Sequence, residues 1–407
     1  MSSRAVADVV VIGAGPAGSA AAIVLARSGR SVVMIDKATF PRDKCCGDGL
    51  TTLALRELET LGFEPSMVPT WKSVDAAWIR SPSGREVRLA LPTDGIFAAT
   101  APRREFDAAL VRVAVDAGAE FRGGCGFEAI RQSSASVEVD VSGAEAIEAH
   151  YVVAADGMWS PTRKALGVGE PGYLGEWHAF RQYGRNITGP AAERLYVWFE
   201  PEILPGYVWS FPLPAGRVNI GFGVQRDGVR KVQDMKQHWQ ELLRRPHIVE
   251  ALGPTFELEE RHTAWPIPAR IDKATLTDGR VLFVGDAAMA ADTMTGEGIG
   301  QALLTGRLAA ESILAAGAAD VTAATTRYRH ATRHHLVADH KMSALLGRVL
   351  SHRRGARGAV RILDSNDWVQ RNFARWMFED EPRAIAFTPS RWHRNFLRQP
   401  GPYQSIA

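Results

Sequence analysis

Along the chain, apolar residues fall into two kinds of pattern. Val9-Val10-Val11-Ile12, Val32-Val33-Met34-Ile35, Val152-Val153-Ala154-Ala155 and Val281-Leu282-Phe283-Val284 are short unbroken runs, which predict strands buried on both faces of a parallel sheet. The first two runs are joined by an Ala-rich stretch to about Ser28, predicted as a helix closed by Gly29-Arg30. Around residue 207 the pattern changes to alternation. Tyr207, Trp209 and Phe211 sit at every second position and share one face of a predicted strand, and Arg217 to Val224 returns beside it after Pro-Ala-Gly. Leu195–Glu200 and Asp75–Leu91, the latter broken by a Pro-Ser-Gly turn, add strands to a mostly antiparallel sheet. Residues from 326 onward read as helices, with loops expected at Arg353–Gly358 and Thr388–Pro389. The fold class is therefore α/β, without internal repeats or low-complexity tracts.

The places where the buried runs end carry the chemistry. The first strand leads into Gly13-Ala-Gly15-Pro-Ala17-Gly18, a helix follows, and the second strand ends at Asp36, eighteen residues beyond the last glycine. This is a dinucleotide cradle. The glycines allow a tight turn and close approach of backbone to a pyrophosphate, the helix N-terminus offers free N–H groups, and the acid accepts from ribose hydroxyls. The same grammar recurs at Asp156-Gly157 and at Gly285-Asp286. The latter is followed by Gly296-Glu297-Gly298-Ile299, which opens another long helix and suits a ribityl chain and a polar ring edge. Together these three elements resemble the FAD domain of the single-Rossmann flavoproteins, the group of para-hydroxybenzoate hydroxylase, the flavin halogenases and the geranylgeranyl reductases.

Within that group, Phe40-Pro41-Arg42-Asp43-Lys44-Cys45-Cys46-Gly47-Asp48-Gly49 resembles the FPRxKxCGxG segment of the geranylgeranyl reductase family, and Tyr207-x-Trp209-x-Phe211-Pro212 followed by Gly221-x-Gly223 matches that family's YxWxFP-x8-GxG pattern. Gly285-Asp-Ala-Ala and Thr295-Gly-Glu-Gly-Ile299 also resemble that family, with one departure, Thr293 after Asp292 where the family usually has proline. The resemblance implies an FAD-dependent reductase that saturates carbon–carbon double bonds of a polyprenyl chain, of the geranylgeranyl or menaquinone type. The alternative is an FAD-dependent monooxygenase acting on an aromatic or polyketide substrate. It implies cofactor contacts from Gly13, Gly15, Ala17, Gly18, Asp36, Lys37, Cys46, Gly47, Asp48, Arg103, Asp156, Gly157, Asp286, Gly296, Gly298 and Ile299. Cys46 is expected as proton donor with Tyr207 second, and Tyr207, Trp209, Phe211 and Gly221 as substrate wall. For Cys46 an inert small side chain is the competing reading, and a vicinal disulfide with Cys45 a further one. The expected division is a discontinuous FAD-binding domain (1–65, 100–168 and 272–325), a substrate domain (66–99 and 169–271) and a C-terminal helical region (326–407).

Composition narrows the setting. The chain has 407 residues, 46% apolar and 23% charged, as ordinary globular proteins do, and three cysteines do not make a disulfide framework. A reducing cytoplasm is the location expected from that cysteine usage, and no membrane span is expected, since no run reaches the roughly 20 apolar residues of one and glycines interrupt the N-terminal run. Neither cysteine nor histidine spacing suits zinc, so no metal is expected. No second GxGxxG is present, so a transient electron donor (NAD(P)H, ferredoxin or flavodoxin) is expected. The net charge of +3 hides an asymmetry. From Thr325 onward there are fifteen Lys/Arg against six Asp/Glu, among Trp368, Phe373, Trp376, Phe378 and Trp392. A solvated helical face and peripheral contact with an anionic membrane surface are the two readings; nucleic acid is not expected, because no binding motif accompanies the charge.

Overall fold

The computed structural model describes residues 5–226 and 235–404. The outermost residues of the first and last expected segments, and 227–234 within the expected substrate domain, lie outside that description. The unbroken apolar runs form the centre of an eight-stranded sheet. Val281–Phe283, Ile147–Ala154, Ala5–Ile12, Val32–Asp36 and Glu120–Gly123 lie side by side and parallel in that order. Ile12 is in register with Ala154 and Ile35, and Ala154 with Phe283. The four strands that end in these glycines and acids therefore finish level with one another, and their turns crowd one carboxyl edge, where ligands of open α/β sheets bind.

Two helices cover this edge, Pro16–Arg27 and Ile299–Ala316. They cross at van der Waals distance because both carry small residues there. A Cβ on Gly306 would lie 2.1 Å from the Ala17 carbonyl oxygen, and one on Gly285 would lie 3.0 Å from the Ala17 methyl. Ala17 thus belongs as much to helix packing as to the cradle.

The alternating segments form a seven-stranded sheet, ordered Glu257–Ile267, Trp177–Arg185, Arg217–Gln225, Tyr207–Leu213, Leu195–Trp198, Ala76–Arg80 and Glu86–Ala90. Neighbours are antiparallel except Leu195–Trp198 with Ala76–Arg80, which run parallel. One face presents Phe180, Val208, Ile220 and Phe222 to a closed core with Trp239 and Leu242. The other presents Arg181, Tyr207, Trp209, Phe211, Gly221 and Gly223. That face looks toward the edge of the first sheet. A three-stranded ribbon of Gly49–Leu50, Ala99–Thr100 and Lys72–Ser73 lies between the two.

The tail departs from expectation in one place. Arg353–Gly358 is not a loop but the first half of a helix, Arg353–Leu363. Its two glycines each cost about 1 kcal/mol of helix propensity. Burial of Ala356, Val360 and Leu363 offsets that cost, and Gly355 lets the helix approach the preceding one, since a Cβ there would lie 2.0 Å from the Val349 carbonyl oxygen. Thr388 does fall between two short 3-10 turns, Ile385–Phe387 and Pro389–Arg391, the second of which Pro389 opens. The chain then returns to the beginning: Tyr403 donates its hydroxyl to the Phe63 carbonyl at 2.8 Å and its N–H to Glu59 at 2.8 Å.

Candidate functional site

At the carboxyl edge, Gly13 has φ +102° and packs so tightly that a Cβ would lie 2.4 Å from the Ala155 carbonyl oxygen. The Ala14 N–H donates to Asp36 at 2.9 Å, and the Ala38 N–H donates to the other oxygen of the same carboxylate at 2.9 Å. Asp36 thereby braces the turn while still facing the cavity, as does Lys37. Gly15 caps the helix without a side-chain acceptor, so the first-turn N–H groups stay available. Gly18 is different. It does not border the cavity; its Cβ would lie 1.8 Å from the Gly13 carbonyl oxygen, so it is a glycine for the turn's own packing.

Arg42, which is not among the expected cofactor contacts, stands with its guanidinium 3.8 Å from where a Gly15 Cβ would be. It shares Asp107 with Arg103, donating to that carboxylate at 2.8 Å while Arg103 donates to it at 2.6 and 2.7 Å. The two arginines are thus held rigidly at the cavity wall, Arg103 almost wholly buried.

The other two acids divide. The Asp156 carboxylate accepts from the Ser160 hydroxyl at 2.6 Å and the Thr162 N–H at 2.9 Å, so it caps the short helix Pro161–Ala165 at the cavity margin beside Gly157. Asp286 lines the cavity with no hydrogen-bond donor to its carboxylate among the described residues. Burial pushes its pKa upward, against the pull of Lys44 and Arg103. Burial also lowers the Lys44 ammonium to about 8; it lies 3.1 Å over the Trp265 ring. Gly296, Gly298 and Ile299 border the same space at the head of the long helix. So does Glu297, which accepts from the Ile299 N–H at 2.9 Å. Burial and the neighbouring Glu379 push the Glu297 carboxyl up to about 7.

At Thr293, where the resemblance implies a proline, the loop is held by Asp292. Its carboxylate accepts from the N–H groups of Met294 and Thr295 at 3.0 and 2.8 Å and from the Ser343 hydroxyl at 2.6 Å, and Trp177 donates to the Thr293 carbonyl at 3.0 Å. Hydrogen bonds do the work of a fixed φ.

The segment Asp43–Gly49 crosses between the sheets, and the second sheet clamps it. Arg181 donates to the Cys46 and Lys44 carbonyls at 3.2 and 3.1 Å and to Asp43 at 3.0 Å; Asn219 donates to the Cys46 carbonyl at 2.8 Å. Asp48 does not border the cavity. At φ +62° its carboxylate turns inward and accepts from the Arg103 N–H at 3.2 Å, the Tyr183 hydroxyl at 2.7 Å and Asn219 at 2.8 Å. Gly47 and Gly49 are what let the crossing lie on the aromatic wall. A Cβ on Gly49 would be 2.9 Å from the Phe211 ring, and one on Gly47 would be 3.4 Å from it and 3.5 Å from Trp209 Nε1.

That wall is continuous, with ring centroids 6.2 Å apart from Tyr207 to Trp209 and 6.3 Å from Trp209 to Phe211. Trp209 donates to Asn219 at 3.0 Å and lies over Gly221, where a Cβ would be 2.4 Å from the indole. Gly221 is therefore the seat of the wall rather than a lining residue. Tyr207 donates its hydroxyl to the Thr295 carbonyl, tying the wall to the loop that opens the long helix.

Cys45 and Cys46 are free thiols. The Asp48 N–H donates to Cys46 Sγ at 3.4 Å, and burial pushes the Cys46 thiol up to about 12, against the pull of Arg103. Cys45, Cys46 and the Tyr207–Trp209–Phe211 wall open, together with Gly13, Gly15, Asp36 and Asp286, onto one cavity of about 1040 Å³ that runs on between Val197, Phe199 and the tail residues Leu346, Val360, Phe373 and Trp376. The tail's contribution had no local signal in the sequence.

The residues fit a dinucleotide with a redox ring. The helix start at Gly15 is uncapped, two fixed arginines stand at the cavity wall, Asp286 has no donor among the described residues, and the cavity continues past the aromatic wall to the tail helices. Comparison with known proteins agrees. Residues 6–315 match the model of a family described as FAD binding domain. A menaquinone reductase of Mycolicibacterium smegmatis is 33% identical over 347 residues, covering 78% of this chain and 79% of that protein. Digeranylgeranylglycerophospholipid reductase 2 of Methanopyrus kandleri is 31% identical over 332 residues, 80% of this chain and 81% of its own. A geranylgeranyl bacteriochlorophyll reductase-like protein of Thermoplasma acidophilum has the same fold, with a TM-score of 0.78 at 20% identity over 96% of this chain and 100% of that one.

Proposed function

The chain belongs to the FAD binding domain family and, within it, to the geranylgeranyl reductase group of FAD-dependent oxidoreductases, and from that premise we propose that it saturates carbon–carbon double bonds in the polyprenyl tail of a lipid, with a menaquinone as the first substrate to test. The observation that carries this reading is the single cavity that joins the dinucleotide edge to an apolar passage past Cys46 and the Tyr207–Trp209–Phe211 wall. An isoprenoid tail needs such a passage; a compact aromatic substrate does not.

Bound FAD, when reduced, supplies the hydride that one alkene carbon receives. The chain's own residues do the rest. The wall and the glycines of the crossing hold the flat alkene and exclude water, and an isolated alkene depends on placement because it has no carbonyl to share charge. The second alkene carbon receives a proton, assigned to Cys46 Sγ. With its pKa near 12 the thiol is fully protonated at neutral pH and acts as an acid rather than a nucleophile. Arg103 faces the thiolate left behind. Tyr207 is the weaker candidate, since its hydroxyl proton is given to Thr295.

Electrons come from a transient donor, NAD(P)H, ferredoxin or flavodoxin, in keeping with the lone GxGxxG. Among the described residues no helix is long and apolar enough to cross a membrane, and the reading places the protein peripherally on the inner face of one, where its substrate resides. The test is anaerobic turnover of reduced holoprotein with menaquinone, read by mass spectrometry as a gain of two hydrogens per bond. Cys46→Ser is expected to keep FAD and lose turnover. Unchanged rates remove Cys46 from the mechanism, and a product that gains oxygen only in air makes the protein a monooxygenase instead.

A further inference from the structure

The tail helices Ala338–Leu350, Arg353–Leu363 and Asp367–Met377 have two faces of different character. Inward, Leu346, Val360, Leu363 and Phe373 line the far end of the cavity. Outward, Leu345, Val349, Ile362 and Trp368 are between 49% and 65% exposed. Val349 belongs to both sets, so the cavity reaches the surface at the end of the first of these helices. Around the exposed apolar side chains stand Arg348, Arg353, Arg354, Arg357, Arg361 and Arg371, all exposed and none in an ion pair among the described residues. On the middle helix Arg353, Arg354, Arg357 and Arg361 fall on one arc, with Ile362 at its margin and Ala356, Val360 and Leu363 turned inward. Of the acids nearby, Asp364 is paired with Arg85 at 3.2 Å.

We propose that this face docks on an anionic lipid bilayer and sets the cavity mouth against it, so that a lipid tail enters the protein without crossing water. The inference rests on the reading of the cavity as a lipid passage and goes further by naming the surface and its partner. Charge complementarity favours a bilayer. Six guanidinium groups without an ion-pair partner among the described residues, around a patch with a tryptophan and branched aliphatics, match anionic headgroups above and acyl chains below, the arrangement by which interfacial helices bind. A basic face without the apolar residues would be solvated, and an apolar face without the arginines would pair with a second copy of the chain.

The experiment is co-sedimentation of the FAD-loaded full chain with vesicles of phosphatidylcholine alone and of phosphatidylcholine containing phosphatidylglycerol. The parent is expected to bind the second kind, and less so at high salt. The triple variant R353E/R357E/R361E is expected to lose at least roughly a hundredfold in affinity, since the three lost positive charges alone are worth about fivefold each near the surface and the new carboxylates add repulsion, and Trp368→Ala several-fold. None of these residues lines the cavity. Equal binding to both kinds of vesicle, a triple variant within about threefold of the parent, or a dimer in solution that the triple variant dissolves would overturn the proposal. Turnover of detergent-dispersed menaquinone, measured on the same variants, separates the two readings. Lost docking with retained turnover supports both, whereas retained docking with no turnover by the parent strikes only the reductase reading.

Discussion

Replacing Asp48 by alanine should loosen the crossing segment although the Asp48 side chain does not itself border the cavity. In the native protein its fully buried carboxylate accepts from the Arg103 N–H, the Tyr183 hydroxyl and Asn219. Asn219 keeps a second acceptor in the Cys46 carbonyl, so alanine orphans two buried donors, at about 1–3 kcal/mol each. Alanine at φ +62° adds about 1 kcal/mol. Burial pushes the Asp48 pKa upward, so removing the carboxylate returns part of the loss, and about 3–4 kcal/mol remains. With an unfolding entropy near 2.1 cal/mol/K per residue, over 407 residues, this corresponds to a fall in Tm of about 4 °C. Asp48→Gly should lose about 1 kcal/mol less, because glycine accepts the left-handed backbone. The assay is thermal unfolding of parent and both variants, alongside FAD affinity, which should weaken in both variants because Cys46 and Gly47 lose their anchor. A Tm within about 1 °C of the parent, with unchanged FAD affinity, would refute the view that Asp48 holds the crossing in place.

Two further outcomes follow from the same geometry. Gly221→Ala should cost about 1–3 kcal/mol, since its Cβ would lie 2.3 Å from the Phe180 carbonyl oxygen and 2.4 Å from the Trp209 indole; the near-ultraviolet circular dichroism of the tryptophans should change, and an unaltered spectrum with parental stability would contradict the seating of the wall. Glu297→Gln should alter the pH dependence of apoprotein stability. Its folded pKa is about 7 against an ordinary 4.5, so the folded chain holds a proton that the unfolded chain has released, and stability falls as pH rises between those values. Parent and variant should melt together below about pH 4.5 and the variant should melt higher above pH 7 by a few degrees, with parallel melting curves across that range as the opposing result.

Much of this protein is written locally. A buried strand, a turn that only glycine can make and a helix start are each determined by residues within about ten positions of one another, so the cradle at Gly13–Gly18, the acids at 36, 156 and 286, and the alternation of Tyr207, Trp209 and Phe211 can be read directly. What the turns do once assembled cannot. Asp48 sits among cavity-facing neighbours yet turns away, because Tyr183 and Asn219 lie 135 and 171 residues further along. Gly18 and Gly221 matter for what their missing side chains allow other groups to occupy, and Arg42, Glu297 and Arg181 acquire their places only across the sheets. The tail is the plainest case. Gly355 and Gly358 argue locally against a helix, but packing against Val349 and burial of Ala356, Val360 and Leu363 outweigh their propensity. Propensity acts over a few residues and about a kilocalorie each, whereas burial sums over contacts that only the folded chain brings together.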